Sequence, residues 1–428
     1  MASPFPKPNE TVALPDPLRE AVGQLLLAMA DDEVLLGHRD SEWVGHAPIL
    51  EADIAMASIA QDEIGHAVLW YSLLQELGWP DPDRMAYFRD PPEFRNATLV
   101  ELPKGDWAFT IIRQFLFDFA EKVRLEALMA SAWTPLAAAA AKVRREETYH
   151  LMHSRAWVLR LGDATEESHR RMQAALEQAW PHALGLFEPT PGEILRVEAG
   201  IQPPEAELRA RWEAEVRPIL EAASLRIPEA EPVYGGRLGR HTEHLAALLA
   251  DFQGGGPFGV GGDMVSGGAA LTREAVLAAL EAVKDPEIPT VSVVDLGLIY
   301  EVRVKGDEVE VDFAPTFVGC PALHVMEQEI VACIRALGAR SVRVQRVYRP
   351  PWTADRMSAR ARQALRELGI APPRPVPAEI TLTAFEKLPC PFCGSTDTRM
   401  ENLFGPTSCR ALFYCNTCQQ PLEAFKPL

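Results

Sequence analysis

All seven cysteines of this 428-residue chain fall after residue 319, so most of its length carries no thiol. Basic charge is scarce as well: 42 Lys and Arg stand against 60 Asp and Glu, for a formal net charge of −18 and a pI near 5.1. That balance argues against a nucleic-acid partner and against an anionic membrane surface. No apolar run approaches the ~20 residues that span a bilayer. The opening Met-Ala-Ser-Pro-Phe-Pro-Lys-Pro-Asn-Glu has no basic start leading into an apolar stretch, so no secretory signal is expected.

What is present is an ordinary globular balance, 47% hydrophobic and 24% charged, in a chain long enough for two or three domains. Two copies of one pattern stand out, Glu63-Ile-Gly-His66 and Glu147-Thr-Tyr-His150. In E-x-x-H a carboxylate and an imidazole three residues apart share one face of a helix. Two such helices, plus one carboxylate from each of two others, line the core of a di-iron or di-manganese four-helix bundle. Glu33 precedes Glu63 by 30 residues and Asp118 precedes Glu147 by 29, a spacing that suits antiparallel helix hairpins. Glu121 competes with Asp118, but its spacing of 26 fits the repeat less well. Either E-x-x-H alone could be a solvated helix face. Both together, flanked at the first copy by Ala55, Met56, Ile59, Ile64, Val68 and Leu69, place acids where acids seldom sit unless paired or metal-bound.

The periodicity predicts helices near 18–38, 49–78, 107–132 and 136–161, with further helices near 165–185, 204–223 and 240–252 packed around them. Residues 1–18 are Pro-rich. Glycine pairs and triplets over 253–268 read as a flexible linker. Beyond it, short strands at 291–294, 298–304, 308–313 and 341–347 alternate with helices at 271–283 and 324–337, a small α/β domain over 269–348. A connector, 349–384, leads to a Cys-rich tail, 385–428. The expected fold is thus multidomain: an all-α ferritin-like four-helix bundle over 19–252, the small α/β domain, and a zinc ribbon.

In the tail, Cys390-Pro-Phe-Cys393 and Cys415-Asn-Thr-Cys418 have metal spacing rather than that of a disulfide framework, which also points to the reducing cytoplasm. Four thiolates around zinc would stabilise a tail too small to fold by apolar burial; a rubredoxin-type iron centre is the alternative. Cys409 is a fifth thiol nearby and is left out of that tetrahedron. Cys320, between a strand and a helix in Thr316-Phe-Val-Gly-Cys-Pro321, is either a thiol whose thiolate the helix dipole stabilises or a buried free cysteine. Cys333, on an apolar helix, reads as core.

These residues resemble a known family across nearly the whole chain. Asp32-Glu-Val-Leu-Leu-Gly, Glu42-Trp-Val-Gly-His-Ala-Pro, Gln61-Asp-Glu-Ile-Gly-His66 and Gly239-Arg-His-Thr-Glu-His244 resemble the ferritin-like subunits of phenylacetyl-CoA epoxidase, the PaaC type in particular. Lys284-Asp-Pro-Glu-Ile-Pro289, Val294-Asp-Leu-Gly-Leu-Ile-Tyr300 and Gly319-Cys-Pro321 are similar to the MIP18/SufT-type domain of iron–sulfur maturation, and Leu403-Phe-Gly-Pro-Thr-Ser-Cys-Arg-Ala-Leu412 to PaaD. The chain reads as a PaaC–PaaD fusion, which raises the effective concentration of an assembly module at its client.

The resemblance implies a subunit of a ring-epoxidising monooxygenase of phenylacetate degradation, an oxidoreductase component that partners PaaA-like and PaaB-like subunits in a hetero-oligomer and takes an acyl-CoA substrate. A separate flavin and iron–sulfur reductase would supply electrons, since no dinucleotide fingerprint occurs here. Typical PaaC chains have lost most metal ligands, whereas Glu33, Glu63, His66, Asp118, Glu147 and His150 match the complete catalytic set, implying two irons cycling between Fe2+ and Fe3+. The resemblance also makes Cys320 a maturation thiol, with a transient Fe–S cluster at its domain. The alternative is a non-catalytic brace and iron-assembly factor for a separate catalytic partner. A rubrerythrin-like peroxidase fits the ligands but not the second half. Arg113, Lys122 and Arg124 are candidates for a CoA surface or for solvated helix faces.

Overall fold

Local signals at the helix starts set the frame of the first half. Pro15 and Pro17 open α1 (Asp16–Ser41), and acidic Glu51 and Asp53 occupy the first turn of α2 (Leu50–Glu76), favourable at the positive end of the helix dipole. Two short helices follow, α3 (Pro82–Tyr87) and α4 (Thr98–Glu101), in the stretch that prolines interrupt. The Asp106 carboxylate then accepts from the Phe109 N–H at 3.0 Å and caps α5 (Trp107–Leu128), while Pro135 sits in the first turn of α6 (Thr134–Ala164). A Thr165–Ser168 capping box starts α7 (Glu166–Leu184), and α8 (Glu193–Glu198), α9 (Glu205–Ala222) and α10 (His244–Gly254) complete the unit. The structure, a computed structural model, describes residues 14–254, 271–348, 350–373 and 388–426. The expected linker lies outside these except for Gln253 and Gly254, which end α10.

The chain divides into two units, Met1–Pro257 and Phe258–Leu428. In the first, α1 pairs with α2 and α5 with α6, and α2 touches α6, so the two hairpins expected from the repeat face each other. Gly37 on α1 permits the close approach: a Cβ there would stand 2.9 Å from Ile64 Cγ1 and 3.0 Å from Glu63 Cβ. Helices α7 and α9 pack on α5, where Trp180 and Trp212 stack with centroids 5.0 Å apart and the Trp212 indole donates to Leu116 O. Ala55, Met56, Ile59 and Leu69 are buried, but Ile64 is partly exposed. No helix among the described residues is long and apolar enough to cross a membrane.

The second unit begins with α11 (Arg273–Leu280) and a small antiparallel pair, β1 (Lys284–Asp285) with β2 (Ile288–Ser292). Strands β3 (Ile299–Lys305) and β4 (Glu308–Phe313) pair antiparallel, Val302 opposite Val311. The helix α12 (Leu323–Ala336) then crosses over to β5 (Ser341–Arg346), parallel to β4, with Val309 opposite Val342. The segment expected as a connector instead carries α13 (Ala359–Glu367) and β6 (Ile370–Ala371). The tail adds β7 (Thr398–Asn402), β8 (Arg410–Cys415) and β9 (Pro421–Phe425); β6 pairs parallel with β9, in a sheet ordered β6-β9-β8-β7.

Candidate metal centres

Six ionisable side chains predicted from spacing, Glu33, Glu63, His66, Asp118, Glu147 and His150, have no exposed surface in the first unit. Burying so many charges costs several kcal/mol apiece unless each is partnered. The partners form two overlapping groups, Glu33 with Glu63 and His66, and Glu63 with Glu147 and His150; within each, one ligand atom per residue lies within 4.8 Å of the others. Glu63 belongs to both. The Nδ1 atom of His66 lies 3.2 Å from Glu33 Oε2 and 3.5 Å from Glu147 Oε1. That of His150 lies 3.0 Å from Glu147 Oε1 and 3.4 Å from Glu63 Oε1. The two rings are 6.0 Å apart, centroid to centroid.

Each histidine turns its other nitrogen outward to a further buried carboxylate. His66 Nε2 meets Glu146 Oε2 at 3.1 Å, and His150 Nε2 meets Asp62 Oδ2 at 3.4 Å. Outer carboxylates of this kind fix the ring tautomer and orientation of metal-bound histidines. Sequence reasoning missed both, although an acid directly before the glutamate of each copy, Asp62-Glu63 and Glu146-Glu147, was the available signal. The arrangement is not fully symmetric, because Lys142 Nζ lies 2.9 Å from Glu146 Oε1 and neutralises that side.

Asp118 occupies the place in its hairpin that Glu33 has in the other. Glu33 accepts from Trp70, four residues after His66, and Asp118 from Ser154, four residues after His150. Asp118 nevertheless joins neither metal-type group. Its side chain is one methylene shorter, and Gln114 and Ser154 hold its two oxygens at 2.8 and 2.6 Å. Glu121, the competitor, pairs with Arg124 at 3.6 Å, and burial pushes its carboxyl up to about 8 despite that guanidinium.

The donor set fits a cation. Glu63 Oε2 and Glu147 Oε2 are buried and receive no hydrogen bond, a costly state unless something positive faces them. Burial pushes the Glu33 carboxyl well above the ordinary carboxylate range, against the pull of His66, and raises Asp118 likewise with repulsion from Glu147. Burial would raise Glu63 too, yet the hydrogen bond and charge of His150 hold it below its usual value. Burial alone would depress both imidazoles; Glu33 and Glu146 instead hold His66, and Glu147 and Asp62 hold His150, well above the usual value. Protons thus stand in for cationic charge. Imidazole with carboxylate suits iron, manganese or zinc.

In the tail the four predicted thiols do converge. Cys390 Sγ is 3.6 Å from Cys418 Sγ and Cys393 Sγ is 3.6 Å from Cys415 Sγ, and one ligand atom from each of the four falls within 4.8 Å of the rest. The two knuckles are alike: Gly394 N donates to Cys390 O and Gln419 N to Cys415 O, both at 2.9 Å, with positive φ at Gly394 (75°) and Gln419 (57°). Hydrogen bonds from the Cys418 and Thr417 N–H groups lower the Cys415 thiol to about 7, towards the thiolate that zinc binds.

Cys320, for which spacing left two readings open, is half-buried before α12, and burial, with Glu287 and Cys409 adding, raises its thiol above the ordinary value; the Ala322 N–H at the helix start opposes this without prevailing. Two expectations need correction. Cys333 is not core: it is half-buried and its thiol meets Ala279 O at 3.3 Å. Arg113 and Arg124 are neither solvated nor open to a CoA, because Arg113 donates to Leu102 O and Arg124 pairs with Glu205, both buried, while Lys122 is held by Glu215.

Comparison with known proteins accounts for the chain in three pieces. The pattern described as phenylacetic acid catabolic protein matches residues 8–255, that of iron–sulfur cluster assembly protein residues 273–345, and that of the PaaD zinc beta ribbon domain residues 375–426. The chain is 41% identical over 230 residues to the PaaC component of 1,2-phenylacetyl-CoA epoxidase from Escherichia coli (strain K12), covering 53% of this chain and 92% of that protein. It is 36% identical over 151 residues to the putative PaaD component of the same epoxidase and organism, covering 35% of this chain and 90% of the relative. The PaaA component matches at 24% over 223 residues, 51% of this chain and 72% of the relative.

Proposed function

The chain belongs to the phenylacetic acid catabolic protein family, and from that membership we propose that it is one component of a multisubunit epoxidase acting on the ring of phenylacetyl-CoA. Its first unit holds a pair of iron ions, and its second unit serves their delivery. The observation that carries this reading is the pair of donor groups joined at Glu63. Glu33 and His66 would hold one ion, Glu147 and His150 the other, with Glu63 shared and Asp118 released from Gln114 and Ser154 to complete the set. Bound iron supplies oxygen activation and the transfer of one oxygen atom to the aromatic ring.

The protein's own contribution is geometry and charge. Glu146 and Asp62 point the two imidazoles inward, Trp70 orients Glu33, and Gln114 donates to Glu63. The closed packing of α1, α2, α5 and α6 keeps water from the donors, whose side chains have essentially no exposed surface. We place the bundle over 19–252, the iron-handling α/β domain over 269–348 and the ribbon over 385–428, with structural zinc in the ribbon. PaaA-like and PaaB-like proteins, and a reductase that brings electrons, complete the assembly.

The test is reconstitution. The chain is combined with its epoxidase partners and reductase, phenylacetyl-CoA and isotopically labelled dioxygen are supplied, and label in the acyl-CoA product is measured. Label should enter the product only with the native chain. Equal labelling with a chain whose Glu63 and Glu147 are both glutamine would leave the bundle a brace for a catalytic partner.

A further inference from the structure

The hairpin repeat that places the buried donors is broken at one position. Each E-x-x-H copy has an acid directly before its glutamate, Asp62 in α2 and Glu146 in α6. Four residues before that acid stand Ser58 in the first copy and Lys142 in the second, both buried. Positions four apart share a helix face, so each lies on the side of its own outer acid. Lys142 Nζ reaches Glu146 Oε1 at 2.9 Å, and Glu146 Oε2 meets His66 Nε2 at 3.1 Å. A run of contacts thus leads from a fixed positive charge, through a carboxylate, to an imidazole whose other nitrogen faces Glu33 at 3.2 Å. The other half has no such cation. Asp62 Oδ2 meets His150 Nε2 at 3.4 Å, its Oδ1 receives no hydrogen bond, and no lysine or arginine among the described residues pairs with it. The shared Glu63 leans the same way: among the described residues its ion pair is with His150, at 3.4 Å, and not with His66.

We propose that Lys142 makes the two metal positions unequal. By cancelling the charge of Glu146 it leaves the position beside His66 the weaker one for a divalent cation, so the position beside His150 fills first and that beside His66 last. An outer carboxylate raises the basicity of the metal-binding histidine it faces, and a cation paired with that carboxylate takes part of the gain back. Buried charges are screened far less than exposed ones, so the difference reaches the ion. Lys142 is a positioning residue: it acts on the ion only through Glu146 and His66. Losing an outer partner changes metal affinity by about 10–100-fold, which sets the size of the gap. The inference rests on the reading of the bundle as the holder of two ions; what it adds is their order and the residue that sets it.

Titration of the full-length, zinc-loaded chain with manganous ion tests this. Manganese(II) suits carboxylate and imidazole donors and leaves the ribbon thiolates their zinc, and the unbound ion is counted by electron paramagnetic resonance. The native chain should take up two ions in steps about 10–100-fold apart. Glu33→Gln, which touches only the His66 group, should remove the weaker step alone. Repulsion between two ions also separates such steps, so the deciding comparison is Lys142→Met. There the weaker step should tighten by about 10-fold or more with the tighter step unchanged, a gain that damage to the fold would not give. Lys142→Arg keeps the charge and should titrate like the native chain. If Lys142→Met does not fold, the same substitution is made together with Glu146→Gln, so that no carboxylate is left unpaired; the weaker step should then be tighter than in Glu146→Gln alone. A weaker step that neither lysine variant moves, or a Glu33→Gln chain that loses the tighter step, overturns the proposal while two bound ions leave the epoxidase reading standing. A native chain that takes up fewer than two ions contradicts the two-ion reading itself, and the proposal falls with it.

Discussion

Replacing Glu63 by glutamine should disable both halves of the centre at once. The amide keeps the shape, and Gln114, which donates to Glu63 Oε1 at 3.0 Å, can still find an acceptor there. What goes is the charge shared between the two donor groups. Glu63 is held ionised by His150, and His150 is held protonated partly by Glu63. In the metal-free chain the substitution therefore breaks a fully buried pair, which costs about 3–5 kcal/mol. At roughly 2–4 °C per kcal/mol for a unit of this size, melting should fall by about 6–20 °C. In the metal-loaded chain the loss should show in occupancy. Glu33→Gln touches only the His66 group, so it should release one ion preferentially, whereas Glu63→Gln should release both. Iron per chain, measured after anaerobic ferrous loading and desalting, with circular dichroism melting of the metal-free forms, compares the three proteins. A Glu63→Gln chain that retains as much iron as Glu33→Gln, or melts with the native chain, would refute the shared-ligand reasoning.

Three further outcomes follow from the same geometry. Glu33, Asp118, His66 and His150 are all held above their ordinary values in the metal-free cluster, so a metal competes there with protons; iron affinity should rise with pH, and calorimetry in two buffers of different ionisation enthalpy should register proton release, with identical heats counting against it. Glu146→Gln, which removes the charge behind His66 Nε2 but not a ligand, should weaken iron binding by about 10–100-fold, read by competition with a chelator; unchanged affinity would make Glu146 a partner of Lys142 alone. Cys390→Ser or Cys418→Ser opens the four-thiolate shell and should release zinc and unfold the tail, and a variant with full zinc content would contradict this.

Much of the helical unit was legible because its hairpin repeat is written twice, with Glu33 and Asp118 standing almost equally far from their E-x-x-H partners. The ligand helices could be placed from their periodicity, and that arithmetic marked the donors on them. The outer carboxylates were harder to see, since Asp62 and Glu146 lie on neighbouring helical positions and only a cross-helix histidine gives them a role. Spacing could not tell how far Asp118 reaches, because that depends on Gln114 and Ser154 competing for its oxygens. The ribbon's paired cysteine knuckles were plain from C-x-x-C, whereas β6 was not: a two-residue strand has no period of its own and exists by pairing with β9 at the far end of the chain. The rise in the Cys320 thiol was equally invisible, as it comes from burial and from Glu287 and Cys409, distant in sequence.

The central claim is that carboxylates and imidazoles from four helices hold two metals side by side. Mössbauer spectroscopy on the full-length chain, loaded anaerobically with enriched ferrous iron and then exposed to air, tests it most directly. The account predicts a spin-coupled ferric pair that disappears in Glu63→Gln; isolated, uncoupled iron, or no iron retained by the native chain, would contradict it.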